Sequence, residues 1–121
     1  MQKNTFYHII SSAQQDNVIT VSFQFDSAHP IFAGHFPGQP VVPGACMLQM
    51  VKEILSANMP SAYHLKKAGY LKFIAPIDPN MTDELEMKLT YKTVEGGLQV
   101  GAVLTANGVA CFKMQGVWTA D

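Results

Sequence analysis

The chain has 121 residues, of which 48% are apolar and only 14% are charged, and its formal net charge is −1. This length predicts a single domain over residues 1–121, and this balance of residues excludes a disordered chain. All eight basic residues are lysine. The chain therefore lacks the bidentate arginine contacts that phosphate and guanine recognition favours, and we expect no nucleic-acid role.

The sequence lacks the patterns of a membrane span, a signal peptide and a zinc site. No apolar run approaches the roughly 20 residues of a membrane span, and the first residues carry no signal-peptide core. We therefore expect a cytoplasmic protein without a membrane partner. Cys46 and Cys111 are isolated and show no zinc-ligand spacing. They are predicted to be buried thiols, and no metal or cofactor is expected.

The first strands are predicted before residue 26. Val18–Phe25 alternates strictly between apolar and polar residues, which is the pattern of a half-buried strand. Residues 6–10 predict a shorter strand, which a polar turn at residues 14–17 joins to the second.

A long connection follows at residues 26–43, with four prolines and two glycines in eighteen residues. Loops of this length inside a compact domain tend to be functional or disordered, and the apolar residues here argue against disorder. Gly34 lets the backbone turn tightly beside His35, whose imidazole is a candidate acid or base. The alternative is a histidine that is merely packed in a proline-rich loop.

Residues 44–58 are the segment with helical periodicity, opened by Pro43 and stopped by Pro60. Apolar residues cover most of its circumference, so the helix is predicted to be buried nearly all round. Its polar residues fall within about 100° of arc and form one narrow stripe that faces solvent or a site. The stripe consists of Gln49, Lys52, Glu53 and Ser56.

The rest of the chain predicts four more strands, the last three of which form an antiparallel meander. Strands are expected at residues 64–74, 84–92, 98–106 and 109–118, and Asn107-Gly108 is the strongest hairpin signal among their turns. The geometry these elements allow is one long helix with an antiparallel sheet curled around it.

The long connection also carries a recognisable motif. HPIFAGHFPGQPVVPGACMLQM, at residues 29–50, resembles the signature of the hotdog-fold 3-hydroxyacyl-acyl carrier protein dehydratases of fatty acid biosynthesis. The resemblance extends to KFIAPI at residues 72–77, to DEL at residues 83–85 and to the Asn107-Gly108 turn. It implies an α+β hotdog fold and a lyase that forms a 2-enoyl thioester.

The resemblance also assigns roles to individual residues. His35 corresponds to the catalytic histidine that takes a proton from C2 of the substrate. Gly44 matches the glycine whose backbone N–H receives the thioester carbonyl, which suits the positive end of a helix dipole. Phe36 and Pro43 shape the pocket, and Ala45 lies beside Gly44 at the predicted helix start. His29 is expected to hold the loop.

One position departs from the family pattern. The family has Glu or Asp fourteen residues after the histidine and Gln one turn later, whereas this chain has Gln49 and then Glu53. Glutamine cannot protonate a leaving hydroxide, although a positioned acid contributes about 10²- to 10⁴-fold in rate. We expect Gln49 to orient the substrate hydroxyl, and Glu53 is a second candidate for the proton.

Three functions remain open. The first is a dehydratase with an atypical acid position, the second is an inactive or weakly active acyl-thioester-binding subunit, and the third is a hotdog thioesterase. The expected substrate is an acyl carrier protein or coenzyme A thioester. The resemblance also implies a homodimer or a trimer of dimers, since the family covers its exposed sheet edges by pairing two subunits into a continuous sheet. Lys66, Lys67 and Lys72 either steer an acidic carrier protein or form an ordinary solvated face.

Overall fold

The structure is a computed structural model that describes residues 5–32, 41–81 and 84–121. In these ranges the strands are β1 (Tyr7–Gln15), β2 (Val18–Phe25), β3 (Tyr63–Phe73), β4 (Leu85–Val94), β5 (Gly97–Ala106) and β6 (Val109–Ala120). The α-helix α1 spans Gly44–Ala57, and a short 3-10 helix spans Pro30–Phe32. All the strands predicted from the sequence are present, and so is the helix. Their ends lie within a few residues of the predicted ones, except that β1 extends to Gln15.

The six strands form one antiparallel sheet in the order β1-β2-β4-β5-β6-β3. The predicted hairpin between β5 and β6 is confirmed, since Asn107 and Gly108 have φ values of 52° and 81°. Both values lie in the left-handed region that a type I′ turn requires. Strands β1 and β3 are the two edges of this sheet, so each has one side that none of the described strands pairs with.

The core lies between one face of the sheet and the helix. Alternate residues of β2 and β5 are buried, as their period-two pattern predicts. Six residues of the helix join them in one apolar cluster, namely Cys46, Met47, Met50, Val51, Ile54 and Leu55. These six of the fourteen helix residues span about half of its circumference at 100° per residue, and Ala45, Gln49 and Ala57 are exposed. The prediction of a helix buried nearly all round is therefore wrong, because the sheet covers only one side of it.

The first hairpin differs from its predicted form. Gln14 and Gln15 were expected in the turn, but they pair with Ile19 and Val18 as the last residues of β1. The turn itself is confined to Asp16 and Asn17, which have φ values of 52° and 64°. A two-residue turn of this kind matches the twist of the strands, so it lets the polar glutamines remain in the ladder.

Two further expectations concern burial and membranes. Cys46 and Cys111 are both buried free thiols, as predicted. Among the described residues, no helix combines the length and the apolar character that crossing a membrane requires.

Candidate active site

The helix begins at a glycine that has little room for a side chain. A Cβ atom on Gly44 would lie 2.8 Å from two ring carbons of Phe73 on β3. Pro43 stands at the N-cap position, and no side chain of the described residues caps the helix there. The N–H of Cys46 donates to the carbonyl oxygen of Pro43 at 3.0 Å. The amides of Gly44 and Ala45 have no such side-chain cap, so they can act as hydrogen-bond donors at the positive end of the helix dipole.

Two motifs that are distant in sequence meet at this helix start. The N–H of Val42 donates to the carbonyl oxygen of Ile77 at 2.8 Å, and the Phe73 ring covers Gly44. The segment after β3 is fixed in turn to β6, because the N–H groups of Ile74 and Ala75 both donate to the oxygen of Cys111. Residues 41–50, from the motif at residues 29–50, and the matching segment at residues 72–77 thus form one end of the site.

The polar stripe of α1 carries a cluster of hydrogen-bonded side chains. Tyr7 Oη donates to Glu53 Oε1 at 2.7 Å, and Gln49 Nε2 donates to Glu53 Oε2 at 2.8 Å. Both carboxylate oxygens therefore accept a hydrogen bond, one from β1 and one from the preceding turn of the helix. We call these three residues the Tyr7–Glu53–Gln49 cluster.

Tyr7 is the buried member of this cluster, with 6% of its surface exposed. Burial raises the pKa of its phenol well above the ordinary value, and the hydrogen bond to Glu53 and the charge of that carboxylate raise the pKa further. The phenol therefore keeps its proton throughout the neutral range and acts as a donor.

A groove of about 1030 Å³ runs between β1 and α1 and contains the cluster. Its wall also includes apolar side chains, among them Ile9, Val21 and Ile54. A concave, mostly apolar site with a few placed polar groups is typical of small-molecule binding.

The other half of the polar stripe turns toward the start of β3. Lys52 Nζ donates to the carbonyl oxygen of Tyr63 at 2.8 Å, and Ser56 Oγ accepts from the N–H of Tyr63 at 3.0 Å. Lys52 also lies 3.9 Å from Asp121 Oδ2, and His64 Nδ1 lies 2.6 Å from Asp121 Oδ1. We call the two bonds to the Tyr63 backbone the Tyr63 anchor.

Aromatic rings hold the chain just before the long connection. Phe32 is buried and packs edge-to-face against Phe6 and Phe25, with ring centroids 6.3 and 5.9 Å apart. His29 accepts a hydrogen bond at Nδ1 from the N–H of Ile31 and packs against the Phe32 ring. This contact agrees with the expectation that His29 holds the loop.

The predicted site residues are therefore only partly placed. Gln49 and Glu53 are brought together, and Gly44, Pro43 and the exposed Ala45 lie at the helix start. His35 and Phe36 lie outside the described residues. In the described ranges, no three side chains of His, Cys, Asp or Glu gather as metal ligands.

Sequence reasoning missed Tyr7. Residues 6–10 were expected to form a strand, but nothing in one sequence pairs a residue of β1 with a helix forty-six positions later. The available signal was the lone tyrosine hydroxyl at the start of an apolar strand. A buried phenol usually finds a hydrogen-bond partner.

The chain is similar in fold to a solved structure from Xenorhabdus doucetiae, titled as the dehydratase heterocomplex ApeI:P. The two chains agree with a TM-score of 0.76 at 18% identity, over 93% of this chain and 96% of that one. The fold is therefore the α+β hotdog fold. Residues 11–108 match the model of the ApeI-like family, described as ApeI dehydratase, and the chain belongs to that family.

Curated relatives agree with this family. A 3-hydroxyacyl-acyl-carrier-protein dehydratase FabZ from Verminephrobacter eiseniae is 30% identical over 94 residues, which cover 68% of this chain and 61% of the relative. The enzyme of the same name from Paracidovorax citrulli is 28% identical over 94 residues, with 68% and 63% covered. The matched region thus spans less than two thirds of the length of these relatives.

Proposed function

We propose that the protein dehydrates 3-hydroxyacyl thioesters to 2-enoyl thioesters. The observation that carries the proposal is the groove between β1 and α1, in which Gln49 and Glu53 form a hydrogen-bonded pair in a chain of the dehydratase family. The apolar wall of the groove suits an acyl chain, and its polar stripe suits the substrate hydroxyl.

His35 is the proposed base. Its imidazole takes the proton from C2, the electron pair of the C2–H bond becomes the C2=C3 double bond, and the C3–O pair leaves with the oxygen. That oxygen takes a proton and departs as water. We assign the proton to the imidazolium formed at His35, which returns the histidine to its neutral form.

Gly44 supplies the proposed donor for the thioester carbonyl. As the C2 proton leaves, negative charge develops on the carbonyl oxygen, and a donor fixed in advance stabilises that charge. The start of α1, which no described side chain caps, offers such a donor at Gly44. The Phe73 ring leaves no room for a larger side chain at position 44.

Gln49 is proposed to orient the substrate hydroxyl. Its Nε2 is engaged by Glu53, so its Oε1 is the atom that accepts a hydrogen bond from the 3-hydroxyl group. Glu53 accepts one hydrogen bond from Tyr7 and one from Gln49, each on a different carboxylate oxygen.

A second copy of the chain is the proposed partner at β3. This edge strand has an open side and exposes Tyr70, Leu71 and Phe73, with Ile74 directly after it. Pairing β3 with its copy would join two sheets and bring His35 of one subunit near the helix of the other. Light scattering should then show a dimer or a larger even assembly, and a monomer at micromolar concentration would contradict this.

An acidic carrier protein is the proposed source of the acyl thioester. Lys66, Lys67 and Lys72 are all exposed along β3 and give this edge a positive charge. Long-range attraction of this kind is screened by salt. The KM for a carrier-linked substrate should therefore rise with salt more steeply than the KM for a coenzyme A-linked one.

The decisive test compares two reactions on one panel of acyl thioesters. We expect hydration of crotonyl thioesters without hydrolysis, since hydration is the reverse of the proposed reaction. His35→Ala should lower hydration by several orders of magnitude while circular dichroism remains unchanged. His64→Ala is the matched control, because this exposed histidine pairs with Asp121. Hydrolysis without hydration would point to a thioesterase and overturn the proposal.

One observation favours a second candidate, a subunit that binds acyl thioesters within a heteromeric dehydratase. The similar structure from Xenorhabdus doucetiae is titled a heterocomplex, and Gln49 stands where the family has its acid. Binding of a thioester without turnover, followed by turnover after addition of a second subunit, would identify this role.

A further inference from the structure

Tyr7 contacts the proposed site from a strand that carried no predicted role. Its hydroxyl is 2.7 Å from Glu53 Oε1, and the bond joins the first strand of the sheet to the middle of the helix. Both residues line the groove, as does Gln49. The phenol therefore belongs to the wall that the substrate would contact, although its own hydrogen bond is to Glu53.

The chemistry of the three groups fixes the orientation of the Gln49 amide. A carboxylate only accepts hydrogen bonds, so the group that Gln49 presents to Glu53 must be its NH₂. If Glu53 turned away, the amide would be free to rotate by 180° and to present nitrogen where the substrate meets oxygen. The rotamer of Glu53 thus decides which atom of Gln49 faces the substrate.

Tyr7 is well suited to hold that rotamer. Its ring packs against Phe6 and Phe23, with centroids 5.1 and 6.1 Å away, and β1 pairs it with Phe25. A buried ring with two torsions has little freedom, so its hydroxyl is a fixed point for the carboxylate. Glu53 by itself is a half-buried side chain on a helix surface.

We propose that Tyr7 is a positioning residue, which holds Glu53 and thereby fixes the Gln49 amide with Oε1 toward the 3-hydroxyl group of the substrate. The inference rests on the proposed dehydratase function. It gives the Gln49 and Glu53 pair a common task, in which Gln49 contacts the substrate while Glu53 and Tyr7 act through it.

The kinetic test uses Tyr7→Phe, which removes one oxygen and keeps the packed ring. We expect kcat for crotonyl-thioester hydration to fall about tenfold, since the bond lost is one to a charged group. KM should stay within about twofold, because the groove keeps its shape. Tyr91→Phe is the matched control, as the Tyr91 hydroxyl accepts a hydrogen bond from the exposed Gln14 on another part of the sheet.

A second measurement reads the cluster without turnover. The side-chain amide protons of Gln49 in an NMR spectrum should shift in both Tyr7→Phe and Glu53→Gln and should not shift in Tyr91→Phe. An unmoved Gln49 signal in Tyr7→Phe would overturn the inference alone. A wild-type chain that does not hydrate thioesters would overturn the proposed function instead, whatever the Gln49 signal does. A fall in kcat with an unmoved signal would also count against positioning.

Discussion

The polar stripe of α1 divides into two clusters that differ in what they bind. On one side, Gln49 and Glu53 bond to each other and to the Tyr7 side chain inside the groove. On the other side, Lys52 and Ser56 bond to the backbone of Tyr63. All four residues line the same groove, but their hydrogen bonds join them to two different parts of the chain, β1 and the start of β3.

The difference separates attachment from chemistry. In the Tyr63 anchor, side chains satisfy a backbone N–H and a backbone carbonyl at the start of β3, which ties the helix to an edge strand. In the Tyr7–Glu53–Gln49 cluster, the polar groups satisfy one another and leave Oε1 of Gln49 available. We therefore expect changes in the Tyr63 anchor to alter stability and changes in the Tyr7–Glu53–Gln49 cluster to alter turnover.

The largest effect expected within the polar stripe comes from changing Gln49 or Glu53 alone. Glu53→Gln should lower the hydration rate by about 10²-fold, because a misplaced substrate group has a cost of this order. Gln49→Glu should also lower the hydration rate, since it places two carboxylates in contact. The double exchange restores a carboxylate beside an amide in the order typical of the family. We expect it to recover at least the wild-type rate.

This double exchange is read as a mutant cycle. Residues in direct contact should show a coupling that the sum of the single variants does not explain. A double variant whose loss equals the product of the two single losses would mean that Gln49 and Glu53 act independently. The idea that Gln49 and Glu53 act as one functional cluster would then be wrong.

Most of the fold was predictable because it depends on local patterns. Strict alternation identified Val18–Phe25, and the Asn107-Gly108 pair located the last hairpin. The end of β1 was predicted wrongly, since polar Gln14 and Gln15 are typical of a turn and only the pairing across the ladder keeps them in the strand.

The site was predictable where it follows from a motif and not where it depends on tertiary contact. The narrow stripe on the helix placed Gln49 and Glu53 together, since residues four apart share a helical face. The contribution of Tyr7 depends on how β1 crosses the helix, and the Phe73 ring over Gly44 depends on how β3 does. The local periodicity of the sequence predicts neither of these two contacts.

The stability of the folded chain at alkaline pH tests the buried hydrogen bond between Tyr7 and Glu53. The pKa of Tyr7 is raised in the folded chain above its unfolded value near 10. This contribution to stability is complete below pH 10 and is lost as the pH rises toward the folded pKa. Tyr7→Phe should therefore lose less stability than the wild type between pH 9 and about 11. Urea unfolding at several pH values measures this, and parallel curves for the two proteins would count against a buried Tyr7–Glu53 bond.

Ser56→Ala should have a smaller effect, confined to stability. The N–H of Tyr63 would lose its acceptor at a half-buried position, so the free energy of unfolding should fall by about 1 kcal/mol. Urea denaturation with an unchanged m-value would measure this loss. No loss at all would show that water replaces the hydroxyl without cost, and the Tyr63 anchor would then not hold the helix.

The smallest effect is expected at Asp121, at the outer edge of the Tyr63 anchor. Its carboxylate lies near both Lys52 and His64, but their side chains are 37% and 50% exposed and its own is 51% exposed. Pairs as exposed as these contribute at most about 1 kcal/mol, and salt weakens them. Asp121→Asn should therefore lower the free energy of unfolding by less than Ser56→Ala in dilute buffer, and the difference from wild type should vanish at about 1 M salt. Its hydration rate should equal that of the wild type, since Lys52 is the helix residue that Asp121 pairs with among the described side chains. A change in rate of the size expected for Glu53→Gln would mean that the two halves of the stripe are coupled, because only a shift of Lys52 or of the helix itself could carry the effect of this surface carboxylate to Gln49.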